Sequence, residues 1–474
     1  MKELPIHIRL IQDGDKTLYE QIYEYIRSEI RSGGLLCGEK LPSARYLAEY
    51  LQVSRTTVDM AYGQLVAEGY LEAKPKKGYF VATLDGLYTI ETKGETDLPR
   101  QQKKSDAEPV LYDFSPNAID MTHFPYATWK RITKNILVDA NSKMFSLGEP
   151  QGDRELRGTI CRYLHAARGV NCQPEQIIIG AGNDFLLLLL EKILGRHVPI
   201  AMENPTYERA YKIFRSFAYP VSLVEMDENG MDVEKLRQTP ARVAYVMPSH
   251  QYPTGISMPI GRQMELLRWA SEQEDRFLIE DDYDSEFRYK GKPLPSMQAS
   301  DAGGRVVYIG TFSKSIAPAI RISYMVLPYT LLERYHRECG FYASSVSRID
   351  QKILDQFIRE GHFERYLNKM RKEYRTKHDL LLGQLRDFEG CFTISGENAG
   401  LHILLRNRRG RTEEELERRA LQAGVRTYRM GSFRIGTKKE DPGESTMILG
   451  YAQLSEEEII QGVERLRKVW VETL

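Results

Sequence analysis

The chain has no excess charge of either sign: 66 Lys and Arg stand against 66 Asp and Glu in 474 residues. Bulk electrostatics therefore give no hint of a nucleic-acid partner, and any such partner has to be read from pattern. Long apolar runs are missing too. The longest candidate, Phe185 to Leu190, is closed off by Asp184 and Glu191, far short of the ~18 apolar residues a membrane helix needs. The N-terminus lacks the basic-then-apolar pattern of a secretory leader, so a cytoplasmic location away from any membrane is expected. Cysteine is scarce: Cys37, Cys161, Cys172, Cys339 and Cys391 are odd in number, scattered, and form no CxxC. They read as reduced thiols, neither a disulfide framework nor a metal site. What is left, 42% apolar and 28% charged, is ordinary globular composition. The length suggests roughly two to four domains.

Residues 15–83 carry the first pattern. Leu18, Ile22, Ile26 and Ile30 recur at helical spacing, and Gly33-Gly34 ends that helix. Ser43 caps a short second helix with Leu47, Ala48 and Leu51 inward. Val53 is the expected turn residue, and Ser54 caps a third helix reaching about Glu68, with Val58, Ala61, Leu65 and Val66 inward. The two caps stand eleven residues apart, the tight spacing that lets the later helix project into a major groove. Two short strands about a basic turn, between Gly69 and Val81, predict a wing. Ser54, Arg55, Thr56 and Thr57 put short donors and one guanidinium at a helix N-terminus, where phosphates and base edges are met. Arg45 and the wing residues Lys74, Lys76, Lys77 and Gly78 complete the candidate DNA contacts. A protein-binding helical hairpin with a solvated lysine turn would show much of the same pattern.

The stretch LPSARYLAEYLQVSRTTVDMAYGQLVAEGYLEAKPKKGYFVA closely resembles the GntR-type winged helix, including its LPS-x-R-x-LA and SR-x-TV-x-x-AY-x-x-L-x-x-EG portions. The resemblance implies a dimer that reads double-stranded operator DNA. Residues 84–110, with ETKGETDLPRQQKKSDAE at their centre, are polar and aperiodic and read as a flexible linker.

From about residue 156, apolar strand-like runs alternate with helical stretches, as in a mostly parallel sheet with covering helices. Strands are expected at 176–179, 198–202, 221–224, 243–247, 277–280, 306–309 and 322–326, with ligand-binding residues in the loops at their ends. Gly180-Ala181-Gly182-Asn183 opens a leucine-rich helix whose first amides can hold a phosphate, although such glycines are common between strand and helix. Tyr207, in a Glu203-Asn204-Pro205-Thr206-Tyr207 loop, can stack on a flat ring or merely pack. Glu280-Asp281-Asp282-Tyr283-Asp284 is a dense acidic run. A carboxylate buried there needs a positive partner, such as a protonated pyridine nitrogen. Thr311-Phe312-Ser313-Lys314-Ser315, with Arg321 seven residues after the lysine, offers an amine for a Schiff base and hydroxyls plus a guanidinium for a phosphate.

In this order the loops resemble fold type I aminotransferases, over residues 111–474. The resemblance implies that Lys314 holds pyridoxal 5'-phosphate (PLP), that Asp281 pairs with the pyridinium nitrogen and that Tyr207 stacks on the ring. It places Tyr283 near the phenolic oxygen, and Arg321, Ser313, Thr311 and the amides near Gly182 and Asn183 around the phosphate. A GntR-type reader ahead of an α/β aminotransferase-like domain, itself with large and small subdomains, resembles the MocR subfamily of bacterial regulators. Members of that subfamily respond to GABA or to PLP, and the resemblance implies a head-to-tail homodimer.

Three positions depart from the aminotransferase pattern. Tyr252 precedes Pro253-Thr254-Gly255 where catalytic relatives have asparagine, which alters the donors near the phenolic oxygen. Asp184 sits where relatives often have an uncharged polar residue, close to the expected phosphate. Gln453, in the segment ILGYAQL, takes the place of an arginine that clamps a substrate carboxylate, while Arg209, matching another arginine of the GABA site, is kept. A neutral amide gives up most of the carboxylate affinity of a charged fork, unless Arg429 or Arg434 reaches the same spot. The expected protein is a transcription regulator sensing PLP, or an amine that reacts with it, and controlling vitamin B6 or amino-compound genes without efficient turnover. An aminotransferase carrying a DNA reader, and a constitutive DNA binder with a vestigial second domain, are the alternatives.

Overall fold

The computed structural model describes residues 8, 16–83, 109–138, 144–289, 294–436 and 445–472. The chain divides into two compact units, Met1–Ser105 and Asp106–Leu474. Of the linker expected over 84–110, residues 84–108 lie outside the described residues. None of the described helices is long and apolar enough to cross a membrane.

The first unit runs α1 (Leu18–Ser32), α2 (Ala44–Leu51), α3 (Arg55–Ala67), β1 (Leu71–Lys74) and β2 (Gly78–Val81). Ile22, Ile26 and Ile30 of α1 close on Leu47 and Ala48 of α2 and on Val58, Ala61 and Leu65 of α3. Gly33 ends α1 in the left-handed conformation at φ 79, while Ser43 and Ser54 accept from the Tyr46 and Thr57 amides as caps of α2 and α3. The turn between α2 and α3 runs through Gln52, Val53 and Ser54, and its left-handed residue is Gln52, at φ 55. A β-branched residue resists that conformation, and Val53 instead packs half-buried on the core. Tyr62 is a further core residue, fully buried, whose hydroxyl donates to the Pro42 carbonyl at 3.0 Å. β1 and β2 pair antiparallel from Leu71↔Val81 to Lys74↔Gly78, and the turn between them needs left-handed backbone at Lys76 and Gly78.

The second unit begins with β3 (Tyr112–Asp113) and builds its large sheet from β4 (Ile177–Gly180), β5 (Ile200–Asn204), β6 (Val221–Asp227), β7 (Gly230–Met231), β8 (Val243–Val246), β9 (Phe277–Asp282), β10 (Val306–Thr311) and β11 (Ser323–Val326). Their order is β4-β11-β10-β9-β8-β5-β6-β7. β5, β6, β8, β9 and β10 run parallel, while β11 is antiparallel to both of its neighbours, as β7 is to β6. All seven expected strands are present. They read as continuous apolar runs because both faces of the sheet are covered. Val243, Tyr245, Phe277 and Ile279 meet the leucines of helix Asn183–Leu194 on one face, whereas Ala244, Val246 and Leu278 meet Leu266 and Trp269 of helix Ile260–Ser271 on the other. A second layer follows in the chain: β12 (Phe392–Ser395), β13 (His402–Asn407), β14 (Val425–Arg426), β15 (Tyr428–Arg429) and β16 (Thr446–Gly450). Four of these form an antiparallel sheet, β12-β13-β16-β15, and β14 pairs with β3.

The cysteines are less scattered in space than in sequence. Cys161 and Cys172 have their sulfurs 4.0 Å apart, and the Cys161 thiol and His165 Nε2 lie 3.3 and 2.8 Å from the Cys172 carbonyl. Burial pushes both thiols up and keeps them protonated.

Candidate functional site

The parallel strands deliver their carboxyl ends to one edge of the large sheet, where loops can meet. A cavity there is lined by Asn117, Asn183, Asp184, Tyr207, Arg209, Met247, Tyr252, Asp281, Tyr283, Thr311, Ser313, Lys314 and Arg321. Gly182 caps helix Asn183–Leu194 at φ 88, which a side chain resists, and a Cβ there would collide with the Arg321 guanidinium. Glycine thus lets that guanidinium lie directly on the backbone at a helix N-terminus. Thr311 ends β10, its hydroxyl accepting from the Ser313 amide at 3.1 Å and from Ser323 Oγ at 2.9 Å. Among the described residues, Ser313 Oγ and Asn183 Oδ1 are buried without a hydrogen-bond partner. An unsatisfied buried polar atom costs about 1–3 kcal/mol; the Ser313 hydroxyl can donate to a phosphate oxygen, whereas Asn183 Oδ1, an acceptor, needs a donor from another group.

The acidic run sorts itself by partner. Glu280 accepts from the Met297 and Gln298 amides, each at 2.9 Å. Asp282 takes Arg168 Nε at 2.8 Å and the Tyr308 hydroxyl at 2.5 Å, and Asp284 lies 3.0 Å from His250 Nδ1. Asp281 is different. It faces the cavity and is met by neutral donors, the Tyr245 hydroxyl and Asn183 Nδ2 at 3.3 Å. Burial, helped by the Asp282 charge and opposed by the Tyr245 hydrogen bond, raises its carboxyl to about 7.

Lys314 donates to the backbone carbonyls of Asn117 at 2.8 Å and Pro116 at 3.3 Å. Burial lowers its ammonium to about 8, with the Asp284 charge acting the other way. Tyr207 and Tyr252 meet edge to face, ring centres 6.2 Å apart, and Phe433 closes on Tyr252 at 5.1 Å. The Tyr283 hydroxyl is engaged with His250 Nδ1 at 3.0 Å. Asp184 turns toward the arginines: its Oδ2 is 3.4 Å from both Arg209 Nη1 and Arg321 Nη2.

Gln453 is not among the residues lining the cavity. It is exposed, and its amide donates to the Asp113 carbonyl at 2.7 Å, so the last turn after β16 ties it to β3 instead. Arg429 does not replace it, being held by Glu414 and Glu417 at 2.6 and 3.0 Å. Asn117 and Met247 line the cavity without having been expected. Met247 ends the strand expected over 243–247, where ligand-binding residues are looked for, whereas Asn117 carries no such signal.

In the first unit, Arg45, Ser54, Arg55, Thr56, Lys74, Lys76 and Lys77 are exposed, with Thr57 and Gly78 half-buried. Some of these groups have local duties. Ser54 Oγ accepts the Thr57 amide and touches its hydroxyl at 2.8 Å, Arg55 Nε lies 3.3 Å from Asp59, and Lys74 Nζ sits 4.8 Å over the Phe80 ring.

Residues 18–81 match the family described as bacterial regulatory proteins, gntR family, and residues 113–466 match aminotransferase class I and II. An uncharacterized HTH-type transcriptional regulator of Bacillus subtilis, YdeL, is 39% identical over 457 residues, which cover 96% of this chain and 97% of that one. The probable rhizopine catabolism regulatory protein MocR of Rhizobium meliloti is 32% identical over 475 residues, 98% of this chain and 95% of its own. Among solved structures, Pyrococcus horikoshii kynurenine aminotransferase in complex with PMP superposes with a TM-score of 0.67 at 26% identity, covering 77% of this chain and 92% of its own. A gntR-type winged helix, an aminotransferase class I and II fold behind it, and regulators that match nearly end to end place the chain in one family: it belongs to the MocR subfamily of GntR-type transcriptional regulators.

Proposed function

We propose that the second unit holds PLP on Lys314, and that PLP, or an amine reacting with it, sets the affinity of the winged helix for operator DNA. The observation that carries this reading is Asp281, a carboxylate only 5% exposed, open to the cavity and met by neutral donors. Such a group is costly to ionise without a cation, and a protonated ring nitrogen supplies one. Lys314 offers an amine that burial holds near neutrality in mildly alkaline solution, fit to add to an aldehyde. Arg321, the first amides of helix Asn183–Leu194 and the unpartnered Ser313 hydroxyl suit a phosphate. Tyr207 and Tyr252 wall the space between. Bound in this way, PLP supplies an electrophilic carbon that captures primary amines. Gln453, a neutral amide tied to Asp113, gives no clamp for a substrate carboxylate, so efficient transamination is not expected. On the DNA side, Arg45, Thr56, Lys76 and Lys77 are the exposed donors best suited to a duplex, presented twice by a head-to-tail homodimer.

The test is binding of the purified chain to its own upstream promoter DNA, at fixed salt, with and without PLP and across a panel of amines. Affinity that shifts in the wild type and not in Lys314→Ala supports the reading. Equal affinity under every condition, or PLP that fails to bind, overturns it.

A further inference from the structure

Three cationic side chains line the cavity, Lys314, Arg209 and Arg321, and they face two carboxylates, Asp281 and Asp184. Asp184 is the second residue of helix Asn183–Leu194. A single oxygen of it lies 3.4 Å from Arg321 Nη2 and 3.4 Å from Arg209 Nη1. Arg321 is the guanidinium pressed on the Gly182 backbone, and Arg209 rises from the helix Glu208–Ser216. The three side chains are 40–59% exposed, so the bridge adds little to stability. Its consequence is for which anions the cavity accepts.

We infer that Asp184 sets the ligand class of this site, admitting a phosphate at Arg321 while denying Arg209 to a carboxylate, so that the effectors are primary amines without an acid group. The inference rests on the PLP reading above. A phosphate dianion outcompetes Asp184 at Arg321, because it also gains the helix amides and the Ser313 hydroxyl. Since one oxygen serves both arginines, the displaced side chain keeps its hold on Arg209. An incoming carboxylate then meets an arginine already neutralised, and a like charge beside it. Gln453 brings no second cation. An amino alcohol meets neither penalty.

The experiment uses the full chain, wild type and Asp184→Asn, with 4-aminobutanol and 4-aminobutyrate as a matched pair of probes. Each is titrated into PLP-loaded protein and followed by the visible absorbance of the bound cofactor. The wild type is expected to favour the alcohol. Asp184→Asn should tighten 4-aminobutyrate by about tenfold and leave 4-aminobutanol unchanged, and adding Arg209→Gln should cancel the gain. An unchanged preference in Asp184→Asn overturns the inference. If neither protein takes up PLP, the functional reading fails separately. Inorganic phosphate, followed by intrinsic fluorescence, then decides on Asp184 alone: binding no tighter in Asp184→Asn than in wild type also overturns it.

Discussion

Replacing Asp281 with asparagine keeps the side chain's size and removes the charge, but exchanges one acceptor oxygen for an amide NH2, so one of its two donors, Tyr245 or Asn183, keeps its acceptor and the other must turn to accept. In the cofactor-free protein, burial holds the carboxyl at about 7 against an ordinary 3.8. The folded chain therefore keeps a proton that the unfolded chain has released, and stability falls as pH rises from 3.8 to about 7. At pH 8 the whole deficit is present, on the order of 4 kcal/mol, and at pH 5 about 2 kcal/mol of it is. Asparagine carries no such deficit. The second unit of Asp281→Asn should melt above wild type at pH 8, and by less than half that margin at pH 5. With PLP bound the variant's margin narrows, because a charge-assisted hydrogen bond to the ring nitrogen is lost. That costs about 1.5–3 kcal/mol, or roughly 10- to 150-fold in cofactor affinity. Differential scanning calorimetry at both pH values, with and without PLP, reads both arms. A cofactor-free variant that melts below wild type at pH 8 would refute the reasoning, since Tyr245 and Asn183 would then already satisfy the anion.

Three further outcomes are expected. Because burial lowers Lys314 to about 8, the rate at which PLP becomes trappable on the chain by borohydride should rise with pH and level off just above that value. A rate still climbing beyond pH 10 contradicts it. Gly182→Ala places a Cβ on the Arg321 guanidinium at φ 88, a strain of about 1–3 kcal/mol; fluorescence titration should show phosphate affinity reduced by about tenfold with circular dichroism unchanged, and full affinity would detach Gly182 from the anion site. Lys77→Ala, at the exposed wing turn, should lower the slope of log affinity against log salt by about one, and an unaltered slope removes that lysine from the DNA interface.

Much of the architecture was legible because its determinants are local. Seven of the eight strands of the large sheet stood out as apolar runs, since both of their faces are covered. Ser43 and Ser54 announced the starts of α2 and α3. Tyr62 escaped notice because its hydroxyl finds a partner, the Pro42 carbonyl, twenty residues back. Val53 marks the turn by its break in pattern, whereas the left-handed residue, Gln52, sits one position earlier and carries no residue-type sign of it. Asn117 was missed for a different reason: it meets Lys314 through its backbone carbonyl, 197 residues away in sequence, and a carbonyl has no residue-type signature.

The sequence by itself determined a two-part protein, a winged helix and a cofactor-type α/β unit, because helical period, caps, glycines and the order of loop motifs are written within short windows. Tertiary structure alone decided how the charges divide. Glu280, Asp281, Asp282 and Asp284 read alike in sequence. Only folding brings Arg168 across 114 residues to Asp282 and His250 across 34 to Asp284, and leaves Asp281 facing the cavity with neutral donors. It likewise turned Gln453 onto Asp113 and set one oxygen of Asp184 between Arg209 and Arg321. Pairing of charges depends on distance through space and on burial, and the partners come from loops that only the closed sheet brings together.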